Sequence, residues 1–467
     1  MYRRRRFPVA MSAAAMLLLT GCPSLDGAGH PEVHGKPGAA GAGDPLFAKL
    51  GNGGYDVGHY GLTLDYDPET GRLAGTAEII AKATQDLSAF NLDLHGLTVD
   101  SVTLGARKAT VDRAGDEVTV HLDKAVPKGG RVRALVRYSG TPRTVVDVDN
   151  AEEGWLRTAD GALAVGQPAG SMAWFPGNHH PSDKATYDIK ITVPKGLQGI
   201  SNGVLHDQYS TGDKTTFFWK SEHVMPSYAA TVAIGRYDLT SSALPRTGQP
   251  VITAVDPAVA EETEELLTQV PTMMSWSAKK FGRYPFGAFG VIVVPDGEVG
   301  YALETQTRPV FPVGEFDEAT LAHEIAHQWY GNSVTPKTWK DMWLNEGFAT
   351  YAQWLWDEDH NDIPAQESFE EAFADDANWG FPAADPPSAA DISEDPVYWR
   401  GAMVLHKVRE AVGDPMFFRI LPLWAQTRMY GNASTADFTS YVEKMSGKDL
   451  DAVWDTWLYG EEKPDAP

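Results

Sequence analysis

The stretch His323-Glu324-Ile325-Ala326-His327 carries two imidazoles four residues apart, with a carboxylate directly after the first. On a helix, four residues leave the two rings about 40° apart around the axis and one turn along it, on a single face. Two imidazoles on one face can hold one tetrahedral ion. Glu324, one step around, can reach a water on that ion rather than the ion itself. The pentapeptide alone is weak evidence, because a polar helix surface can carry it without any chemistry. A third residue strengthens it. Eighteen residues separate His327 from Glu346, which lies in a segment made apolar by Trp339, Met342, Trp343, Leu344, Phe348 and Tyr351. A carboxylate is costly there unless it is paired or bound to a metal. The intervening "GNSVTPKTW" is long enough to turn the chain back, so the two segments can face each other. Two histidines and one glutamate, with a fourth position open to water, form the donor set of a catalytic zinc site rather than a structural one. The expectation is one Zn2+ per chain on His323, His327 and Glu346, with Glu324 as general base.

These residues need helices to present them. Asp317 can cap a helix starting at Glu318, and Gly331 can end it. Further helical patterns follow in "TWKDMWLNEGFATYAQWLWDE", "YWRGAMVLHKVREAVG", "PMFFRILPLWAQTRMYG" and "TADFTSYVEKMSG". Upstream, "DPAVAEETEELLTQVPTMMSWSAKKFG" reads as an amphipathic helix that Pro271 can interrupt, and "GAFGVIVVPDG" as one buried strand. From about residue 55 to 240 the chain alternates apolar and polar residues, as in "HYGLTLDYD", "RVRALVRYSG" and "KATYDIKITV", with turns such as "PETG" and "PKGG" between. The fold class is therefore α+β in two domains. An antiparallel β domain over 45–243 is followed by an α-rich domain with a short sheet over 244–461 and a tail over 462–467.

A chain of 467 residues with 14 Trp, 17 Tyr and 18 Phe has length and apolar material for two such cores. Its net charge of −24 argues against a nucleic-acid partner, which needs a basic footprint. The start, "MYRRRR" followed by "FPVAMSAAAMLLLTG", reads as an export signal over 1–21, too short to span a membrane comfortably. The run ends at "LTGC", where Cys22 is the single cysteine of the chain. This resembles a bacterial lipoprotein lipobox and implies cleavage before Cys22, acylation of its sulfur and a place on the outer face of the cell membrane. Secretion without an anchor is the alternative. Residues 22–44, rich in Gly, Pro and Ala, read as a flexible tether, with His30 and His34 as solvated linker residues.

The run "HQWYGNSVTPKTWKDMWLNEGFATY" around the metal residues resembles the aminopeptidase N family of zinc metallopeptidases, which also contains leukotriene hydrolase. The likeness extends over roughly residues 50–460. It implies that the β domain is saddle- or sandwich-like and that the second domain is a thermolysin-like zinc catalytic domain. It also implies that His323, His327 and Glu346 bind zinc and Glu324 is the base. The family's Gly-Ala-Met-Glu-Asn strand is matched by Tyr301-Ala302-Leu303-Glu304-Thr305, which keeps only Ala302 and Glu304 and places both in substrate binding. Glu304 would hold a free α-ammonium. Gln167, nine residues before Pro176, matches a family position that joins it there. Tyr398 in "VYWRGAM" matches a family tyrosine and would stabilise an oxyanion, with Arg400 where the family has Lys. His179 and His180 read as surface residues, and His406 as a packed or surface one. Larger members continue into a long helical domain, whereas "GKDLDAVWDTWLYGEEKPDAP" looks like the end of a catalytic domain.

The implied activity is hydrolysis of the first peptide bond of peptides with a free N-terminus. The nearest alternative is a thermolysin-like endopeptidase on the same zinc helix. A different class is a non-catalytic, peptide-binding surface lipoprotein.

Overall fold

The computed structural model describes residues 33–148, 150–244 and 247–466, and Cys22 with the export segment lies outside them. Alternation makes the β domain. Tyr55–Asp67 buries every second side chain over most of its length, and Arg72–Ala83 and Arg131–Gly140 follow the same rule. An eight-stranded sheet runs in the order Val204–Thr211, Lys214–Pro226, Lys184–Pro194, Tyr55–Asp67, Arg72–Ala83, Arg131–Gly140, Thr98–Leu104, Arg107–Lys108. Its pairs are antiparallel except Tyr55–Asp67 with Lys184–Pro194, which are parallel. A five-stranded sheet contains Thr144–Val146, Glu152–Arg157, Ala162–Val165, Val232–Gly235 and Gln198–Ser201.

Two boundaries differ from expectation. Asp238–Ala243 pairs with Pro250–Val255 and, through it, with Ile292–Val294 and Val310–Pro312. That strand therefore belongs to the short sheet of the second domain, upstream of the expected break at 243. The tether expected to reach residue 44 also ends early. Lys36–Pro37 pairs in parallel with Leu87–Asp93. Asp44 is buried, accepting from the Trp339 backbone N–H at 2.9 Å and pairing with His180 at 3.1 Å. Glycine-rich composition signals flexibility, but Asp44 has found long-range partners.

Among the described residues, seven α-helices of nine residues or more carry the second domain: α1 Ala260–Phe281, α2 Glu318–Ala326, α3 Trp343–His360, α4 Ala365–Ala374, α5 Gly401–Val412, α6 Asp414–Thr427 and α7 Thr435–Ser446. α1 runs through Pro271 without interruption. Val270, Met273, Met274 and Trp276 bury its inner face, and this packing outweighs one lost backbone hydrogen bond. Asp317 caps α2 as expected, accepting from Thr320 N–H at 2.8 Å. The helix closes at Ala326 with His327 as its C-cap, so Gly331, with φ +122°, lies beyond it in the return loop.

Candidate active site

α2 presents His323 and Glu324 and ends on His327, and α3 presents Glu346 from its first turn. The return loop between them is held from both domains. Lys184 of the β domain donates to the carbonyls of Asn332 and Ser333, each at 3.0 Å. Thr335–Pro336 pairs with Asn432–Ala433. The chain thereby reverses, and Glu346 Oε2 comes to 3.2 Å from His323 Nε2 and 3.3 Å from His327 Nε2.

The outer ring nitrogens fix the inner ones. His323 Nδ1 donates to Gln353 Oε1 at 3.3 Å and His327 Nδ1 to the Tyr330 carbonyl at 3.2 Å. With Nδ1 as the donor on each ring, both Nε2 atoms face Glu346 Oε2, and the point where the three meet can hold a proton or a metal ion. Their donor atoms lie within 4.8 Å of one another. Electrostatics point the same way. Burial opposes charge on His327, yet Glu346, Glu304 and Glu324 push its pKa up to about 10. Burial also opposes charge on Glu346, yet His327 and His323 hold it down to about 2. The cluster is short of positive charge. Two imidazoles and a carboxylate in tetrahedral reach are the donor chemistry of zinc.

Glu324 is buried, and its Oε2 has no hydrogen-bond partner among the described residues. Burial, with Glu304, Glu346 and Glu315 nearby, pushes its carboxyl well above the usual range. Such a group is disposed to accept and hold a proton.

Glu304 sits in a tight turn. Leu303 and Val310 form an isolated bridge in place of the expected strand. The Glu304 carbonyl accepts from Asn332 Nδ2 at 2.6 Å. Gln167 follows Ala162–Val165 of the β domain, and the turn after it is capped by buried Glu153, which accepts from Gly170 N–H at 2.8 Å. With its amide nitrogen toward Glu304, Gln167 donates to the two carboxylate oxygens at 2.9 and 3.2 Å. The Ala302 N–H, by contrast, donates to Glu315 Oε2 at 2.8 Å, so this backbone donor is already engaged.

Tyr398 lies in the turn of π-helix Pro396–Arg400 that leads into α5. Its ring is nearly parallel to that of His323, with centroids 6.2 Å apart. Glycines make this approach possible. A Cβ at Gly347 would meet the Gly401 backbone at 2.8 Å, so α3 and α5 touch through main chain just behind Glu346. Arg400 is buried as a strut, donating to the carbonyls of Trp457 at 2.9 Å and Phe381 at 3.0 Å, with Gly460 as a third partner.

One cavity of about 390 Å³ is lined by Gln167, Ala302, Glu304, His323, Glu324, His327, Glu346 and Tyr398 together. The histidines at 179 and 180 are outside it and are not surface residues. His179 is held by Phe175 and Asp93, and His180 by Asp44 and Ser182. His406 is buried between Tyr351 and Gln366, while His34 is exposed. Sequence reasoning gave no role to Asn345, Asn332, Gln328 or Gln353, all of which bond to the site residues. Their positions inside or beside the motif were the available signal.

Residues 57–229 match the peptidase M1 N-terminal domain and residues 315–457 the peptidase family M1 domain. The chain is 28% identical over 315 residues to aminopeptidase N of Streptomyces lividans, covering 61% of this chain and 36% of that protein. It is 26% identical over 304 residues to probable aminopeptidase 2 of Sulfurisphaera tokodaii, covering 60% and 38%. The chain thus spans well under half the length of these curated relatives. Among solved structures, a two-domain M1 zinc metallopeptidase mutant bound to L-tryptophan matches with a TM-score of 0.86 and 27% identity, over 91% of this chain and 99% of that one. An M1 zinc metallopeptidase mutant from Deinococcus radiodurans, bound to a Tyr-Ser-Ala substrate, matches with a TM-score of 0.85 and 28% identity over the same shares. With both domains matched in order and the fold shared along nearly all of its length, the chain belongs to peptidase family M1.

Proposed function

We propose that the protein is a zinc-dependent aminopeptidase that hydrolyses the N-terminal peptide bond of peptides. The observation that carries this reading is the shared cavity. The His323–His327–Glu346 cluster, the buried Glu324 carboxylate, one oxygen of which has no hydrogen-bond partner among the described residues, and the Gln167–Glu304 pair all open into it. His323, His327 and Glu346 would hold the metal. Zinc, when bound, lowers the pKa of water and polarises a carbonyl. Glu324 takes a proton from the attacking water and returns it to the leaving amine. The Tyr398 hydroxyl donates to the developing oxyanion. Glu304 accepts from the α-ammonium with Gln167 beside it, and together they close the cleft past the first residue. A peptide as substrate agrees with the Tyr-Ser-Ala complex of the similar Deinococcus radiodurans enzyme.

Glu304→Ala tests this assignment on aminoacyl amides run with free and with N-acetylated amines. Free-amine substrates should lose about tenfold to a hundredfold in kcat/KM, the worth of a hydrogen-bonded charge, while blocked ones change little. Equal losses on both would remove Glu304 as the amine anchor. Efficient cleavage of acetylated peptides by the unaltered enzyme would make it an endopeptidase.

The export and lipid anchor at Cys22 belong to this proposal too, supported by the basic start, the short apolar run and "LTGC". Among the described residues no helix is long and apolar enough to cross a membrane. Cys22→Ser should release the protein from the outer face of the membrane into the medium or a soluble fraction. Continued partitioning into detergent would refute the anchor.

A further inference from the structure

The side-chain amide of Asn345 stands between two carboxylates with different tasks. Its Nδ2 lies 3.0 Å from Glu304 Oε1 and 3.1 Å from Glu346 Oε1. A primary amide has two N–H donors, so each carboxylate receives one. Glu346 is thereby divided: Oε1 goes to the amide, and Oε2 faces the two imidazoles. Asn345 Oδ1 has no hydrogen-bond partner among the described residues and lies over Gly331, where a Cβ would come within 1.8 Å of it. The amide occupies this place because residue 331 has no side chain.

We propose that Asn345 is a positioning residue that ties the α-ammonium anchor to the metal-ligating carboxylate. It acts as a ruler between the substrate's amino terminus and the metal set. The ruler half rests on the aminopeptidase reading; the hold on Glu346 does not. Held by one planar amide, the two carboxylates cannot drift independently. A first residue anchored at Glu304 therefore places its own carbonyl, rather than the next one, at the metal set. Without the amide, two buried acids face each other with two fewer N–H donors between them, and each is free to turn away.

The test uses Asn345→Leu, which keeps the branched shape and removes both donors, and Asn345→Ala, in the full chain. Zinc affinity is read without turnover, by competition with a chromophoric chelator, and KM is read on a free-amine aminoacyl amide. Both variants should bind zinc about tenfold to a hundredfold more weakly, as loss of a partner to a metal ligand does. Both should raise KM about tenfold, the loss of one charged hydrogen bond. Asn345→Ser, which keeps a single donor, should fall between them and the unaltered protein, and it decides the matter if the other two fail to fold. A lower melting temperature with unchanged zinc affinity and KM would overturn the proposal and leave Asn345 a merely structural residue. If the unaltered enzyme does not cleave free-amine substrates, the aminopeptidase reading and the ruler fail together. The chelator competition still decides the hold on Glu346.

Discussion

Glu324 differs most among the site residues from an ordinary helix glutamate. It is buried, its carboxyl is pushed up by that burial and by neighbouring acids, and one oxygen has no hydrogen-bond partner among the described residues. Because it is not one of the three converging donors, Glu324→Gln should keep zinc while kcat falls by about 10²–10⁴-fold, the range of a general base. Metal content and steady-state turnover measured on the same sample check this, and normal turnover would remove Glu324 as the base. The metal residues were legible in the sequence because chemistry dictates their types and spacing, whereas Glu304 could be picked out only through the family resemblance. Asn345 stands inside the motif, but its role is not legible there, since its partner Glu304 is 41 positions away. His179 and His180 mislead for the opposite reason. Flanked by Asn178 and Pro181, they look like loop residues, and only the distant Asp44 and Asp93 show them to be buried.

Contact between α3 and α5 sets where Tyr398 stands. A Cβ on Gly401 would meet Gly347 Cα at 2.9 Å, so Gly401→Ala must spread the two helices. It should cost about 1–3 kcal/mol, as overpacking does. It should also lower kcat more than KM, because Tyr398 moves with the start of α5 while the amine anchor does not. Thermal melts and kinetics on one preparation test this, and an unchanged kcat would detach Tyr398 from the chemistry. At this scale the sequence was informative where period or punctuation was strong. The long strands showed alternation, and Gly282, Gly413 and Gly447 follow the ends of α1, α5 and α7. α4 carries a weak sequence signal because it buries only Ala365, Phe369 and Ala372 in an otherwise acidic stretch. Pro422, like Pro271, sits inside a helix that packing sustains.

Across the whole molecule, the two domains meet around the site. Gln167 comes from one and Glu304 from the other, and Lys184 binds the return loop between the metal helices. The two-domain plan was legible from the change of period. Its exact seam was not, because Asp238–Ala243 alternates like the strands before it yet pairs with those after it. Within the β domain, Asp93 and Glu117 face each other across paired strands. Burial pushes Asp93 up to about 6, and burial with the facing Asp93 pushes Glu117 up to about 7. Both exceed the ordinary 3.8 and 4.5, so the folded state keeps these protons longer than the unfolded chain does. Stability is spared at acid pH and is lost as pH rises through these two values. Glu117→Gln should therefore melt close to the unaltered protein at about pH 5 and above it at about pH 8, and the same shift at both would contradict the pairing. Exopeptidase chemistry at a zinc site is tested by a mass-spectrometric time course on one peptide, free and N-acetylated, with and without a zinc chelator. Residues should be lost one at a time from the free amino terminus, with the acetylated peptide intact and all loss stopped by the chelator. Internal cleavage of the acetylated peptide, or loss that continues in chelator, would contradict that chemistry.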